Sequence, residues 1–196
     1  MSQVLVQLVL LVLAYFLGSC PCAVVVCKLL KKDDPRSSGS NNPGSTNVLR
    51  IGGRLAGLLT LLGDAGKGLL PLLISVRFLN LQDLSGYLLF AAVLGHVYPF
   101  FNPKSGGKGV ATFLGGLIAF APLGALAFSV SWLLIALVLR YVSLASLLAL
   151  LVSTGIVIFQ NFSLMLPLSL ILVMIVWRHR TNIERLWQGK ERRLKF

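Results

Sequence analysis

The chain has 196 residues, of which 56% are hydrophobic and 12% are charged, and its mean hydropathy is +0.85. A soluble domain carries about 25% charged residues, so this composition excludes one and predicts an integral membrane protein. The formal net charge is +12, but the basic residues gather in loops between apolar segments. This distribution excludes a nucleic-acid partner and favours membrane topology instead. We expect a single integral membrane domain over residues 1–196, folded as an all-α helix bundle.

The first apolar segment, from Val4 to Cys27, predicts a membrane span. It carries Cys20, Cys22 and Cys27, which we interpret as small apolar packing residues of one helix. The stretch Leu17–Cys20 is faintly similar to a lipoprotein cleavage box. A secretory signal requires Lys or Arg before the apolar segment, and here none precedes it. We therefore expect that the segment is retained as a membrane span.

A polar loop follows from Lys28 to about Arg54 and contains a stretch, GSNNPGST, that is dense in glycine and hydroxyl residues. Glycines let backbone N–H groups approach a phosphate closely, so this composition favours anion binding. Gly39 and Gly44 have the spacing of the two glycines of a P-loop. Ser45 stands where that motif needs Lys, which excludes a nucleotide-binding P-loop.

The end of this loop predicts a helix that starts near Thr46. Asn47 and Arg50 lie three residues apart, so both would point to one side near the helix N-terminus. A helix N-terminus itself attracts anions, which favours a phosphate site. Taken alone, the loop is also explained as a flexible polar connection, and that alternative stays open.

The next apolar segment, from Leu55 to Leu79, contains two charged residues, Asp64 and Lys67. Intramembrane charges are costly and are usually functional or paired. Because the two residues lie three apart on the predicted helix, they can form an ion pair. A functional role and a self-satisfying pair remain equally open.

A third span from about Gly86 to Phe101 ends in a second polar loop, NPKSGGKG, from Asn102 to Gly109. The loop offers a flexible backbone and the ammonium of Lys108. A helix starting near Val110 would direct its dipole at any anion bound there. His96, just before the loop, is interpreted as an interfacial hydrogen-bonding residue.

The apolar block from Val110 to Val176 has 67 residues, which is too long for two spans of ordinary length and too short for six. Breaks near Pro122, Arg140 and Gln160 divide it into four short spans, which gives seven spans in all. Two long spans remain the alternative, and either even number leaves both ends of the block on the same side.

The basic residues set the predicted orientation. With the N-terminus outside, 16 of the 18 Lys and Arg residues fall on the cytoplasmic side. Arg77 falls outside and Lys67 lies within a span. The C-terminus and three polar segments, residues 37–54, 95–112 and 178–191, are therefore expected to face the cytoplasm.

The third polar segment contains His179 one helical turn before Asn182, so the two share a face. We interpret this pair as part of a site. The basic tail from Arg185 onward is explained by attraction to anionic lipid headgroups.

Together these segments resemble the acyl-phosphate:glycerol-3-phosphate acyltransferase family of bacterial membranes, known as PlsY. A first motif like G-S-x-N-x-G-x-T-N-x-x-R is carried by Gly39, Ser40, Asn42, Gly44, Thr46, Asn47 and Arg50. A second, like G-H-x-x-P followed by G-G-K-G-V-A-T, is carried by Gly95, His96, Pro99 and residues 106–112. A third, like R-H-x-x-N-I-x-R-L-x-x-G-x-E, is carried by Arg178, His179, Asn182, Ile183, Arg185, Leu186, Gly189 and Glu191. A D-x-x-K-G pattern also matches, as Asp64, Lys67 and Gly68.

The resemblance implies a reaction in which an acyl group passes from a fatty acyl phosphate to glycerol-3-phosphate, giving lysophosphatidic acid and phosphate. It implies a monomer in the bacterial inner membrane, in contact with membrane lipids, with no cofactor and no metal. The implied catalytic residues are His179, Asn182, Lys108 and Ser40. The implied substrate-binding residues are Gly39, Asn42, Gly44, Thr46, Asn47, Arg50, Asp64, Lys67, His96, Gly106, Gly107, Gly109, Thr112 and Glu191.

An acyl phosphate is already activated, so the enzyme mainly has to hold two anions together and orient the hydroxyl. Lys108, Arg50 and loop N–H groups would neutralise phosphate charge and stabilise a tetrahedral oxyanion. The acyltransferase box H-x-x-x-x-D is absent from the sequence. We therefore hypothesise that the phosphate oxygen of the acyl phosphate accepts the hydroxyl proton, with His179 as the protein alternative.

Two functions from other classes compete with this interpretation. A transporter or channel for a phosphorylated solute would need polar residues deep in several spans and an internal repeat, and no repeat is evident. A non-catalytic membrane partner held by its basic tail would leave the glycine-rich loops unexplained.

Overall fold

The computed structural model describes residues 3–194, and within that range the chain forms ten α-helices, three short 3-10 turns and no strand. The predicted all-α class is confirmed. The helices form two packing units, one ending at Phe120 and the other beginning at Ala121, and each is described by itself. The helices are α1 Gln3–Gly18, α2 Cys22–Leu29, α3 Ser45–Gly52, α4 Arg54–Phe78, α5 Ser85–Val97, α6 Val110–Phe120, α7 Pro122–Leu139, α8 Val142–Gln160, α9 Met165–Arg178 and α10 Arg180–Trp187.

The predicted first span is broken in the first unit. Helix α1 ends at Gly18 and α2 begins at Cys22, and the two helices are bent by 40°. Pro21 immediately precedes α2, where its missing N–H and its ring interrupt the hydrogen bonds of a continuous helix. Cys20 lies in this break, so the prediction that the three cysteines share one helix is wrong.

Close backbone contact joins α4 to α6 in the first unit. A Cβ on Gly68 would collide with the carbonyl oxygen of Thr112, and one on Gly115 would collide with that of Ala65. Helices α1 and α5 approach in the same way at Gly95. Small residues at such contacts let membrane helices associate through backbone packing, where lipid supplies no hydrophobic drive. These contacts fix the position of α6 and of the polar loop that precedes it.

The second unit begins with a hairpin of α7 and α8. The turn between them contains Arg140 in the left-handed region, at φ 61°. The indole N–H of Trp132 in α7 donates to Ser146 Oγ of α8 at 3.1 Å. Helix α9 follows, and α10 leaves it at a bend of 55°.

The breaks predicted near Pro122, Arg140 and Gln160 all coincide with helix boundaries, so four helices occupy the block from Val110. Among the described residues, α4, α7 and α8 are each long and apolar enough to cross a membrane. The number rises to 5 when each bent pair counts as one span. Helix α6 has 11 residues. At 1.5 Å per residue it covers about 16 Å, roughly half of a hydrocarbon core. The count of seven spans and the orientation stay predictions.

Candidate active site

The first glycine-rich loop is folded around the side chain of Asn47, which is 2% exposed. Its Oδ1 accepts the N–H of Ser40 at 2.8 Å, and its Nδ2 donates to the carbonyl oxygens of Pro35 and Ser38 at 3.1 and 2.9 Å. A buried amide whose donor and acceptor sides both bind loop backbone holds that backbone in one shape. The contacts therefore give Asn47 a loop-shaping role, while its assignment to substrate binding stays a prediction.

Gly39 occupies a tight position in the same loop. Its φ is +71°, and a Cβ there would collide with Asn47 Oδ1. Only glycine fits this backbone without strain, so the conformation and the contact explain why the motif begins with it. Arg50 is exposed while Asn47 is buried. That both side chains point to one side near the helix N-terminus stays a prediction.

The remaining predicted residues of the first loop lie at its surface. Ser40 is exposed, and Asn42, Gly44 and Thr46 are half-buried. Gly44 precedes α3 in an extended conformation, and its carbonyl oxygen accepts the first backbone hydrogen bonds of the helix. The helix predicted near Thr46 thus begins one residue earlier, and the loop presents hydroxyl and amide groups just before it.

Three ionisable side chains meet inside the first unit. Asp64, Lys67 and His96 are 2%, 5% and 8% exposed. The Lys67 Nζ lies 2.8 Å from Asp64 Oδ1 and 3.3 Å from His96 Nδ1. The same Nδ1 lies 3.6 Å from Asp64 Oδ1. Asp64 and Lys67 do form the ion pair expected from their spacing, and the structure adds His96, which the sequence analysis had placed at an interface.

The second glycine-rich loop rests on His96. The N–H of Gly107 donates to the His96 carbonyl oxygen at 3.1 Å, and a Cβ on Gly107 would collide with His96 Nε2. A Cβ on Gly106 would collide with the carbonyl oxygen of Val97. The loop therefore passes over the buried ion cluster at a distance that only glycine permits.

The end of the second loop is tied to the same helix as the ion pair. Thr112 is buried and its hydroxyl donates to the carbonyl oxygen of Asp64 at 2.9 Å. Gly109 has φ +90° and directly precedes α6, which begins at Val110 as predicted. Lys108 is half-buried. Its backbone lies between two points that hydrogen bonds hold, the N–H of Gly107 and the hydroxyl of Thr112.

A pocket in the first unit opens beside this cluster. Asp64, Lys67, His96, Gly106 and Gly107 line it. The α1–α2 break and the first loop supply lining residues that the sequence analysis did not assign, namely Ser19, Cys22 and Arg36. In the sequence, only their closeness to Pro21 indicates that Ser19 and Cys22 could line a pocket. A proline breaks the helix, and the break makes side chains and backbone accessible.

Arg36 is held by a neighbour in its own loop. Its Nε and its second guanidinium nitrogen both bind the carboxylate of Asp34, the latter at 2.6 Å. This hydrogen bonding lowers the pKa of Asp34 below its ordinary value. Both side chains are more than one-third exposed, so the pair orients Arg36 at the pocket more than it stabilises the fold.

In the second unit, His179 and Asn182 are both buried at the start of α10. His179 Nδ1 lies 2.8 Å from the carbonyl oxygen of Ile175. The backbone N–H of Asn182 donates to the His179 carbonyl oxygen at 2.8 Å, as expected for residues one turn apart. The bend between α9 and α10 places both side chains where the chain changes direction.

The carboxylate of Glu191 accepts hydrogen bonds from three side chains in the second unit. Its Oε1 accepts from Ser143 Oγ at 2.7 Å and Asn182 Nδ2 at 2.6 Å, and its Oε2 accepts from Arg185 Nε at 2.8 Å. Burial acts to raise the pKa of Glu191, but the bonds from Arg185, Ser143 and Asn182 outweigh it and hold the pKa below its ordinary value. These contacts position Asn182, so the predicted substrate-binding role of Glu191 stays a prediction beside a positioning role. No motif in the sequence marks Ser143.

The C-terminal tail folds back on the α7–α8 turn. Arg193 donates to the Tyr141 hydroxyl at 2.9 Å, and the N–H of Leu194 donates to the Arg140 carbonyl oxygen at 2.7 Å. The tail is therefore partly held by the protein as well as being available to lipid. Lys195, also counted in the basic tail, lies outside the described residues.

Within residues 3–194, no group of three or more His, Cys, Asp and Glu side chains is arranged to hold a metal ion. Apolar helices, polar segments folded at their ends and buried polar clusters define the class, an integral membrane protein built of helices. The chain belongs to the glycerol-3-phosphate acyltransferase family, whose model, described as "Glycerol-3-phosphate acyltransferase", matches residues 8–189. It is therefore an acyltransferase, and the suspected family is confirmed.

Relatives and solved structures agree with this membership. The chain is 44% identical over 184 residues to the glycerol-3-phosphate acyltransferase of Pseudomonas paraeruginosa, covering 93% of this chain and 97% of that protein. It is 45% identical over 192 residues to that of Methylococcus capsulatus, covering 96% of each. A crystal structure of PlsY (YgiH), an integral membrane glycerol 3-phosphate acyltransferase in its glycerol 3-phosphate form, is similar with a TM-score of 0.90 and 40% identity over 96% of both chains. The lysophosphatidic acid form of that protein is similar with a TM-score of 0.89 and 39% identity, covering 96% of this chain and 95% of that one.

Proposed function

We propose that this acyltransferase takes a fatty acyl group from an acyl phosphate and transfers it to the 1-hydroxyl of glycerol-3-phosphate, producing lysophosphatidic acid and inorganic phosphate. The observation that carries the proposal is the second glycine-rich loop, fixed over a buried ion cluster with Lys108 between its anchors. The solved relatives with glycerol 3-phosphate and with lysophosphatidic acid support the acceptor and the product.

The first unit supplies groups suited to phosphate. The glycines of the second loop let an anion approach the loop backbone closely because no Cβ intervenes. Lys108 and Arg50 add positive charge, and Ser40 adds a hydroxyl at the surface of the first loop. Holding two anionic substrates together against their repulsion is the main requirement of this reaction, since the acyl phosphate is already activated.

The proton of the attacking hydroxyl goes, in this proposal, to a phosphate oxygen of the acyl phosphate, which leaves as inorganic phosphate. His179 is the protein alternative. Its Nδ1 faces a carbonyl oxygen and so carries a proton, which gives the neutral ring a basic Nε2. If a His179→Ala variant lost turnover while binding both substrates normally, substrate assistance would be abandoned in favour of His179.

The proposed setting is the bacterial inner membrane, with the three polar segments at the cytoplasmic face and the protein acting as a monomer among membrane lipids. The basic residues of these segments support this orientation. An acyl donor with a long apolar chain reaches such a site from the bilayer, while glycerol-3-phosphate reaches it from water.

The test uses the full-length protein purified in detergent or lipid cubic phase. Palmitoyl phosphate is supplied with and without glycerol-3-phosphate, and release of inorganic phosphate is followed. We expect release that requires the acceptor and fails in Lys108→Ala. Lys104→Ala is the matched control, because Lys104 lies exposed in the same polar segment and carries no assigned role.

The outcomes separate the competing functions. Turnover with palmitoyl-CoA but not with palmitoyl phosphate would change the donor and keep the acyltransferase class. If a folded sample showed no turnover with either donor, the result would favour a transporter for a phosphorylated solute. Equal loss in Lys104→Ala and Lys108→Ala would remove the specific role of Lys108.

A further inference from the structure

We propose that a tail clamp in the second unit, formed by residues 140–143 and 191–194, fixes the orientation of the Asn182 side-chain amide. Ser143, Tyr141 and Arg193 are then positioning residues that act on Asn182 through Glu191. This rests on the proposed function in one respect, because Asn182 is one of the catalytic residues assigned to that reaction.

The outer end of the clamp is held by two contacts. The carbonyl oxygen of Arg140 accepts the N–H of Leu194 at 2.7 Å, and the Tyr141 hydroxyl accepts from Arg193 Nε at 2.9 Å. The guanidinium carbon of Arg193 also lies 5.3 Å from the centre of the Tyr141 ring, where a cation is attracted to the ring face. The backbone of Tyr141 is extended, at φ −113° and ψ 108°, so the α7–α8 turn can run alongside the tail.

The inner end of the clamp is the contact between Ser143 and Glu191, in which the hydroxyl donates to Oε1 at 2.7 Å. In all three contacts, a step forward in residues 140–143 corresponds to an equal step back in residues 191–194. The two segments are therefore antiparallel and in one register. A slip of the tail by one residue would separate Ser143 from Glu191, so the contacts at the outer end hold the inner one in place.

Helix α10 approaches Glu191 from the other side. Gly189 has φ +66°, and the N–H groups of Lys190 and Glu191 both donate to the Arg185 carbonyl oxygen, at 2.8 and 3.1 Å. A left-handed glycine after a helix turns the chain back onto the last turn of that helix. This reversal brings the carboxylate to Arg185 Nε at 2.8 Å and to Asn182 Nδ2 at 2.6 Å.

The carboxylate decides which way the Asn182 amide faces. An ionised carboxylate only accepts hydrogen bonds, whereas an amide side chain has donors on its nitrogen and an acceptor on its oxygen. Asn182 Nδ2 therefore faces Glu191, and Oδ1 is turned away from it. Because Asn182 is buried, its amide depends on such defined partners, and a shift of the carboxylate shifts the amide with it.

The clamp adds a hold on Glu191 that α10 alone does not supply. The side chain of Arg185 is 42% exposed, so water weakens its attraction for the carboxylate. Ser143 is buried, and a hydrogen bond away from water is stronger. Ser143 is also the second residue of α8, so the carboxylate lies at the helix N-terminus, where the dipole favours negative charge.

The first test compares two serine variants of α8 that are matched in burial, since both serines are 5% exposed. Ser143→Ala removes a donor to Glu191, whereas Ser146→Ala removes a hydroxyl that binds Trp132 and the Val142 carbonyl oxygen. With palmitoyl phosphate and glycerol-3-phosphate, we expect kcat to fall about tenfold in Ser143→Ala, with KM changed less than about twofold. In Ser146→Ala we expect kcat within about twofold of the wild type. Ser143→Thr keeps the hydroxyl and should recover most of kcat.

A second pair of variants, in the tail, decides the matter even if Ser143→Ala fails to fold. Arg193→Ala removes the contacts with Tyr141, and Arg192→Ala removes the same charge from an exposed neighbour. We expect kcat to fall about threefold in Arg193→Ala and to stay unchanged in Arg192→Ala. Tyr141→Phe should add little to the loss in Arg193→Ala, because the two changes remove the same hydrogen bond.

A signal from Asn182 reports on the clamp without any turnover. The full-length protein in detergent is given an isotopic nitrogen label at asparagine, and Asn182→Asp assigns the side-chain amide signal by NMR. We expect this signal to shift in Ser143→Ala and in Arg193→Ala. It should stay in place in Ser146→Ala and in Arg192→Ala, because neither change touches the clamp.

Equal losses of kcat within either pair, or an Asn182 signal unmoved by Ser143→Ala and Arg193→Ala, would overturn the proposal. Equal losses for the two arginines would show instead that the tail acts through its charge on anionic lipid headgroups. If the wild type had no turnover with either donor, the proposed function would fail. The amide signal would then still decide whether the clamp orients Asn182.

Discussion

Asp64 in the first unit is a buried carboxylate and Glu191 in the second is a half-buried one, and both bind basic side chains, but they are assembled differently. The partner of Asp64 lies three residues along the same helix. Glu191 follows α10 and draws donors from α10 and from Ser143, which lies 48 residues earlier. The first cluster needs only one helix to form its ion pair, whereas the second exists only when the chain has folded back. This difference predicts which substitutions act locally and which undo a larger part of the structure.

The largest effect is expected where the first unit relies on backbone contact. Gly68→Ala would drive a Cβ into the Thr112 carbonyl oxygen and push α6 away from α4. Overpacking of this kind costs about 1–3 kcal/mol, and a rigid backbone on both sides favours the upper end. Thermal unfolding in detergent measures it. Gly66→Ala is the control in the same helix and Gly155→Ala in the second unit, since neither Cβ would meet an atom within 4 Å. Equal melting temperatures for all three variants would contradict this packing account.

A smaller but still large effect is expected for Glu191→Ala. The change removes the acceptor of the buried donors Ser143 and Asn182. Each buried donor left without a partner costs about 1–3 kcal/mol, reduced where water can enter. Activity should fall as well, because Asn182 loses the contact that orients its amide. The control is Glu184→Ala, because Glu184 is exposed. A similar loss of stability and activity in that variant would show that the effect comes from negative charge near the tail and not from the contacts of Glu191.

Asn47→Ala should act on substrate binding more than on stability. The loop loses the three hydrogen bonds that join its backbone to one amide, so its backbone is no longer held in one shape. We expect the KM for glycerol-3-phosphate to rise about tenfold, with a melting temperature only slightly lower. Asp34→Asn is the control from the same loop, where the pair with Arg36 is exposed. If the KM for glycerol-3-phosphate were unchanged in Asn47→Ala, the shape that Asn47 gives the loop would not be needed for substrate binding.

The smallest effect concerns pH and sharpens the comparison of the two carboxylates. The pKa of Glu191 lies below its ordinary value of 4.5, so the charged form stabilises the fold above that pH. The contribution is lost as the pH falls through the lowered pKa. The gap in melting temperature between the wild type and Glu191→Gln should therefore be constant above about pH 4.5 and narrow below it. A gap that stayed constant down to about pH 3 would show that the charge contributes nothing.

Much of the secondary structure could be predicted from the sequence because its signals are local. Pro122 and the polar residues near Arg140 and Gln160 interrupt apolar runs, and helix boundaries fall at each. The break at Pro21 was missed, since the surrounding residues are apolar enough to hide it. Prolines interrupt a helix through their own backbone chemistry, which composition alone does not weigh.

The candidate site was predictable as a set of residues but not as a set of contacts. The motif placed Asn47 among substrate-binding residues, and only its burial among Pro35, Ser38 and Ser40 reveals a part in shaping the loop. Ser143 had no signal, because a serine in an apolar helix is common. Its importance arises from the position of Glu191.

By itself the sequence determined the membrane class, the family, the local helices and the Asp64–Lys67 pair, all of which depend on composition or on residues a few positions apart. Tertiary structure alone decided that His96 completes that pair, that Gly107 rests on its ring, and that Glu191 binds Ser143. The physical reason is distance along the chain. A helix turn brings i and i+3 together wherever the helix forms, but His96 lies 29 residues from Lys67, and only helix packing sets which of its nitrogens meets the ammonium.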